Sequence, residues 1–419
     1  MKILVVGGGG REHALVWKIA RSPLAEKIYC APGNGGISKL AECVPLKAMD
    51  IAGIVAFSKE KGVDMVVVAP DDPLAAGMVD ALESEGIRAF GPGKNAAIIE
   101  GSKTFAKDLM KKYGIPTARY EVFDSSARAI DYLKSASFPA VVKADGLAAG
   151  KGVVIAADFG QAREAVRNIM DNKVFGAAGS KIVIEEFLTG QEVSILAFTD
   201  GSTIIPMVSS QDHKKAFDND QGLNTGGMGT FSPSRVYSDE TAAYCMKSIY
   251  VPTVEAMNSE GRKFKGVLYF GLIMTKDGPK VLEYNARFGD PETQVVLPRL
   301  ENDIVEVFNA VIDGKLSDLS FSWSNNAAVC VILASGGYPQ QYAVGYEITG
   351  LEDAESDPDI LVFHAGTKRE NGRYYTAGGR VLGVTAVSGS LNAAIKKAYE
   401  GAGKISFKDM HYRKDIGVK

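Results

Sequence analysis

The sequence predicts an α/β protein that begins with a parallel-sheet domain and ends in a β-rich domain. Three observations predict it. The first hundred residues alternate short apolar runs with helical patterns, the rhythm of βαβ units. The middle of the chain mixes helices with glycine-punctuated hairpins. From Ala327 the pattern turns to AAVCVILA, then many Gly and Tyr, then RVLGVTAVSG. A chain of 419 residues is too long for one core, and these changes divide it at 1–100, 101–326 and 327–419.

Residues 2–6 (KILVV) read as a buried strand and 11–20 (REHALVWKIA) as a helix, with Gly7 to Gly10 between them. Strands follow at 27–30 and 65–69, then a helix near 73–85, and the unit closes near Phe90-Gly91-Pro92-Gly93. In the middle domain, Phe105, Leu109 and Met110 share one face of a helix over 101–113, which Tyr113-Gly114-Ile115-Pro116 ends. Strands are expected at 140–144, 152–156, 181–187, 192–199 and 203–209, with a helix near 159–170. A glycine-rich loop at 222–229 precedes a helix near 239–260 and a hairpin, 266–274 and 280–287, whose turn is Asp277-Gly278.

Composition narrows the function. The chain is 46% hydrophobic and 23% charged, which suits a folded globule. Its net charge of -3 gives no general basic surface for nucleic acid. No apolar run approaches the roughly 18 residues of a membrane span, and the start does not read as a signal peptide. Cys30, Cys43, Cys245 and Cys330 form no C-x-x-C pair, and the four histidines form no H-E-x-x-H. A cytoplasmic protein with reduced thiols is expected.

Five motifs carry candidate chemistry. The first strand runs into Gly7-Gly8-Gly9-Gly10-Arg11. Gly7 and Gly9 fit a dinucleotide fingerprint, but Glu12 stands where its third Gly belongs, and no acid ends the second strand. A bare strand-to-helix turn remains open. So does a cradle for one phosphate, built from Gly9, Gly10 and the Arg11 guanidinium at a helix start. The second motif, KADGLAAGKG at 143–152, is one residue short of a Walker loop and has Gly152 in place of the Ser or Thr. It reads as a hairpin loop, either solvated or folded over a triphosphate, with Lys143 on the strand below.

Third is IEEFL at 184–188 with Glu192 beyond it, either a strand end with solvated acids or a wall for adenosine. Fourth is VLEYNARFGDPE at 281–292. Side chains alternate along a strand, so Glu283, Asn285 and Arg287 are expected on one face and Leu282, Tyr284 and Ala286 on the other. An acid, an amide and a guanidinium in a row suit a magnesium ion beside a phosphate. Fifth is Gln211-Asp212-His213-Lys214 followed by NTGGMG at 224–229, a mobile loop or one whose glycines let backbone approach a small ligand.

In order along the chain these motifs resemble the glycinamide ribonucleotide synthetase family of ATP-grasp ligases. KADGLAAGKG, QDHK, NTGGMG and RFGDPETQ carry the likeness. It extends to FHAGT at 363–367, GGRV at 378–381 and RKDIG at 413–417, so it covers essentially the whole chain. It implies an ATP-grasp core with a mobile small subdomain at about 120–190. Lys103, Lys143, Gly146, Gly150, Lys151 and Gly152 would serve the ATP phosphates. Glu185, Phe187, Leu188 and Glu192 would serve adenosine. Glu283 and Asn285 would hold Mg²⁺ or Mn²⁺. Arg287 and Lys143 would be catalytic. Substrate contacts would come from Gly9, Gly10, Arg11, Asp212, Lys214, Asn224, Thr225, Gly226, Gly227, Asp290 and Pro291. Three positions depart from the family pattern: Gly8, Asp71 and Leu223 replace its usual Asn, Glu and Pro.

The resemblance implies that ATP, glycine and 5-phosphoribosylamine are the partners, with neither nucleic acid nor membrane. It implies phosphorylation of glycine by ATP, then attack of the sugar amine on the acyl carbon. Closing the glycine loop would keep water from the acyl-phosphate. Two other classes stand against this reading. A nucleotide-binding regulator without turnover has no need of the polar strand at 283–287, and a dehydrogenase needs the fingerprint that Glu12 interrupts.

Overall fold

The computed structural model describes residues 1–148 and 152–418. The first strand, Lys2–Gly7, sits at the centre of a five-stranded parallel sheet. Its neighbours are Lys27–Pro32, with Glu42–Cys43 outside it, and Met65–Val68, with Arg88–Phe90 outside that. Ile3, Leu4, Val5 and Val6 are all fully buried, as a central strand covered on both faces requires. The helix pattern near 73–85 forms in two pieces, Asp71–Ala76 and Met78–Ser84. Gly77 lies between them at φ +97°, a left-handed conformation that stops the first piece.

A four-stranded antiparallel sheet, Tyr120–Phe123, Ile182–Glu186, Ala140–Ala144 and Val153–Ala156, forms a small lobe. Helices Ser126–Leu133 and Phe159–Val166 supply its own apolar core. A second antiparallel sheet holds Ile204–Pro206, Gln191–Thr199, Gly266–Thr275 and Gly278–Asn285. The strand expected at 203–209 is shorter, Ile204–Pro206, because the regular ladder is interrupted beyond it; the Met207 N–H still donates to the Leu196 carbonyl and Ser210 forms an isolated bridge with Ser194. The helical stretch expected near 239–260 is present, with a π turn at Met246–Tyr250 inside it.

Alternation along Gly278–Asn285 is broken. Gly271 pairs with Glu283 and Leu272 with Val281, so Leu282 is a bulge. Val281, Tyr284 and Ala286 are buried, whereas Leu282 is only half-buried. Leu282 thus leaves the apolar face expected for it and Val281 takes its place, while Glu283 stays on the cleft side.

The third large sheet joins distant parts of the chain. Gln211–Asp212 and Gly229–Ser232 pair in line with Ala327–Ser335, Arg380–Ser388 and Ile360–His364. The segment between its first two strands folds into a separate hairpin, Lys215–Phe217 and Gln221–Asn224. No helix among the described residues is long and apolar enough to cross a membrane.

Candidate active site

Each motif sits where a strand ends or a hairpin turns. Lys103 begins the helix Lys103–Lys112, and its Nζ donates to the Gly146 carbonyl at 3.0 Å. The same helix start is docked on the lysine strand, since the Thr104 N–H donates to Asp145 Oδ1 at 2.6 Å. Gly152 closes the loop by accepting from the Ala144 N–H at 2.8 Å. Gly150 and Lys151 lie outside the described residues.

Lys143 points into the protein. Its ammonium lies 2.8 Å from Glu185 Oε1 and 3.2 Å from the Leu282 carbonyl of the bulge. Glu185 also meets Lys107 at 2.9 Å. Lys107 in turn donates to Thr117 Oγ1, whose hydroxyl donates to the Val281 carbonyl. A closed polar circuit thus ties the small lobe to the strand of Glu283 and Asn285. Burial drops the Lys107 ammonium to about 8, although Glu185 opposes the shift. Phe187 is exposed, Leu188 half-buried and Glu192 exposed beside this circuit.

Lys214 lies opposite. Its ammonium is 2.8 Å from Glu192 and 3.7 Å from Glu283. Burial raises the Glu283 carboxyl, but Lys214, Lys143 and Lys103 outweigh it and leave Glu283 below the usual range. Glu283 is thus an anion among cations. Arg287 lies just past the strand, 3.0 Å from Glu100 and 3.2 Å from Asn285 Oδ1. Glu100 Oε2 also accepts from the Ala286 N–H at 2.7 Å, which fixes the end of the strand.

Beyond Arg287, three guanidinium groups meet on residues 288–290. Arg11 donates to the Phe288 carbonyl at 3.1 Å and Arg287 to the same oxygen at 3.2 Å, while Arg380 donates to the Asp290 carbonyl at 2.8 Å. The glycine loop after the first strand closes on this point. A Cβ on Gly8 would come within 2.4 Å of the Gly33 carbonyl oxygen, so the backbone passes where no side chain fits. Glu12 caps the helix by accepting from the Gly9 N–H at 2.6 Å, which explains an acid where a dinucleotide loop would have glycine. The Gly9 and Arg11 amides, expected to face a phosphate, already meet Glu12 and Asp290. A Cβ on Gly10 would lie 2.6 Å from Gln294 Nε2, so this turn is packed against the 290–294 segment.

The 224–227 loop meets the same segment from the other side. Thr225 donates to the Lys214 carbonyl and accepts from the Gly227 N–H. Arg380 donates to the Gly226 carbonyl. Gly227, at φ +112°, is so close to Pro291 Cδ and Asp212 Oδ1 that a Cβ would lie 2.4 and 2.7 Å from them. Burial, helped by Glu292, holds the Asp212 carboxyl well above its usual value.

Three family models match residues 1–293 and 328–419. They are the phosphoribosylglycinamide synthetase N domain over residues 1–100, its ATP-grasp domain over 101–293 and its C domain over 328–419. The chain belongs to the phosphoribosylglycinamide synthetase family. A phosphoribosylamine–glycine ligase of Halalkalibacterium halodurans is 51% identical over all of this chain and 97% of its own length. The crystal structure of a phosphoribosylamine–glycine ligase from Thermotoga maritima superposes with a TM-score of 0.86 at 32% identity, covering 99% of this chain and 100% of that one. The biotin carboxylase domain of Hydrogenobacter thermophilus 2-oxoglutarate carboxylase shares the fold alone. Its TM-score is 0.74 at 17% identity, over 98% of this chain and 91% of that one.

As a member of the phosphoribosylglycinamide synthetase family the chain is an ATP-dependent, carbon–nitrogen-bond-forming ligase of purine biosynthesis. Its structure adds residues that the motifs missed. Glu100, Lys107 and Arg380 touch predicted site residues from elements distant in sequence. Arg380 alone had a signal, its place in the GGRV stretch.

Proposed function

We propose that this chain joins glycine to 5-phosphoribosylamine, giving glycinamide ribonucleotide, ADP and phosphate through glycyl-phosphate. The convergence of the lysine strand, the Glu283–Arg287 segment and the 224–227 loop on one cleft carries this reading. Lys103 and Lys143 hold the ATP phosphates, with Gly146 and Gly152 at the loop that bounds them. Phe187, Leu188 and Glu192 face adenosine, and Glu185 anchors Lys143. The glycine carboxylate attacks the γ-phosphorus and ADP leaves. The sugar amine then attacks the acyl carbon and phosphate leaves. Positioning and charge neutralisation supply most of the catalysis of the first step.

Glu283 and Asn285 suit Mg²⁺ or Mn²⁺. Among the described residues no group of three or more His, Cys, Asp or Glu forms a metal cage. Two protein oxygens completed by phosphate and water are what a magnesium–nucleotide site needs. The Lys214 ammonium 3.7 Å from Glu283 supports a cation on this face. The metal would neutralise phosphate charge there. Arg287 and the loop of Asn224, Thr225, Gly226 and Gly227, with Asp212, Lys214 and Pro291, contact glycine and its acyl-phosphate. Arg11 faces the sugar phosphate with its guanidinium, while Gly9, Gly10 and Asp290 shape the turn that carries it.

The test is ADP release with each substrate omitted in turn. Release with glycine and phosphoribosylamine together, and none without glycine, is expected. Equal turnover with alanine or bicarbonate in place of glycine would refute the substrate assignment.

A further inference from the structure

The RKDIG stretch at 413–417 takes no part in the reaction described above, yet its first residue is the largest fully buried side chain among the described residues. Taking a guanidinium out of water costs several kcal/mol unless partners replace the solvent. Arg413 has them. Its Nε and Nη2 form a fork on the two oxygens of Asp415, 2.7 Å each. Nη2 also reaches Asp220 Oδ1 at 3.0 Å, and Nη1 donates to the Lys215 carbonyl at 3.1 Å.

Lys215 and Asp220 belong to the hairpin between Lys214 and Asn224. Further contacts from the same stretch reach that hairpin. The Lys414 N–H donates to Asp218 Oδ1 at 2.7 Å, and the Asn219 N–H donates to Asp415 Oδ2 at 2.9 Å. His411 Nε2 meets the Ala216 carbonyl at 2.8 Å. The hairpin itself is irregular. Its register slips between Lys215 and Phe217, Asn219 and Asp220 are left-handed at φ 58° and 57°, and Phe217 and Leu223 are exposed. A two-stranded hairpin of this kind is marginal alone.

We propose that residues 411–415 are a latch for the substrate loop, with Arg413 as its positioning residue. The hairpin carries Lys214 at one end and Asn224 at the other, so fixing its turn fixes the spacing of both flanks of the Thr225 hydrogen-bond pair. The stretch 411–415 thus pre-orders a loop that glycine would otherwise have to order on binding, at a cost to its affinity. The proposal rests on the reading of Asn224–Gly227 as the glycine and acyl-phosphate loop.

Arg413→Lys keeps the charge and loses the fork. Amide hydrogen exchange over residues 215–227 is expected to quicken, with the strand Gly266–Thr275 unchanged. The KM for glycine should rise about tenfold, the equivalent of one charge-assisted hydrogen bond, while the KM for ATP stays within about twofold. Asp218→Ala, on the exposed turn, should repeat the pattern more weakly and serves if Arg413→Lys does not fold. Thr225→Val tests the loop itself. If Thr225→Val raises the glycine KM and neither latch variant does, the latch is overturned. If Thr225→Val leaves it unchanged, the loop reading falls and the latch's role in catalysis with it. A uniform rise in all three KM values would also overturn the latch, because general loosening explains it.

Discussion

Lys143 and Lys214 both reach carboxylates across the same cleft, in opposite surroundings. The Lys143–Glu185 pair is buried, with side chains 8% and 3% exposed, and Lys107 at 2% closes it from behind. Lys214 faces Glu192 and Glu283 with side chains 38%, 51% and 35% exposed. Water has no access to the first junction, so its geometry is fixed by its own partners. The second is open to water on all three side chains. One junction is closed to water, the other open to it.

Removing a partner should therefore cost very different amounts on the two sides. Lys107→Met leaves Glu185 short of a charge and should destabilise the fold by about 3–5 kcal/mol in urea unfolding. A loss below about 1 kcal/mol would erase the contrast. Its pH dependence sharpens the point. Lys107 titrates near 8 when folded, against 10.5 as the ordinary lysine value. Between those values the unfolded chain holds the extra proton, so this residue makes stability rise from about pH 8 to about pH 10.5. The Met variant should flatten that segment.

Glu283→Ala should leave the urea midpoint where it is and lower kcat by roughly 10²–10³-fold, the scale seen when one preorganised electrostatic group is lost. Normal turnover at saturating Mg²⁺ would remove Glu283 from the metal face. Arg11→Ala should raise the KM for phosphoribosylamine by roughly ten- to a hundred-fold through loss of a charge-assisted bond. A rise confined to ATP would assign the first glycine loop to the nucleotide instead. The smallest effect belongs to Glu192→Gln, whose exposed pair should contribute less than about 1 kcal/mol to stability, measured by the same unfolding.

Much of this site was legible from the sequence because its parts are local motifs. Lys143 announces itself by the glycine loop after it, and Glu283, Asn285 and Arg287 by their alternate spacing, although the strand itself stops at Asn285. The framework behind them was not legible. Lys107 looks like any helical lysine until Glu185, on a strand formed by residues 182–186, is packed against it. Glu100 meets Arg287 and the Ala286 amide from a helix 186 residues earlier. The bulge at Leu282 was hidden for a related reason: alternation assumes an unbroken ladder, and the partner strand sets where it breaks.

The first glycine loop has a wall that arrives late. Asn34 donates to the Gly8 carbonyl and to the His364 carbonyl, and the His364 N–H donates to His13 Nδ1 across 351 positions of sequence. At a synthesis rate of about 5–20 residues per second, roughly 20–70 s separate the appearance of the loop from that of its backing. Contacts of such long range also slow a search for the native arrangement. A nascent chain can pair its first strands early, but its first glycine loop acquires its final surroundings only once the strand Ile360–His364 has emerged and docked.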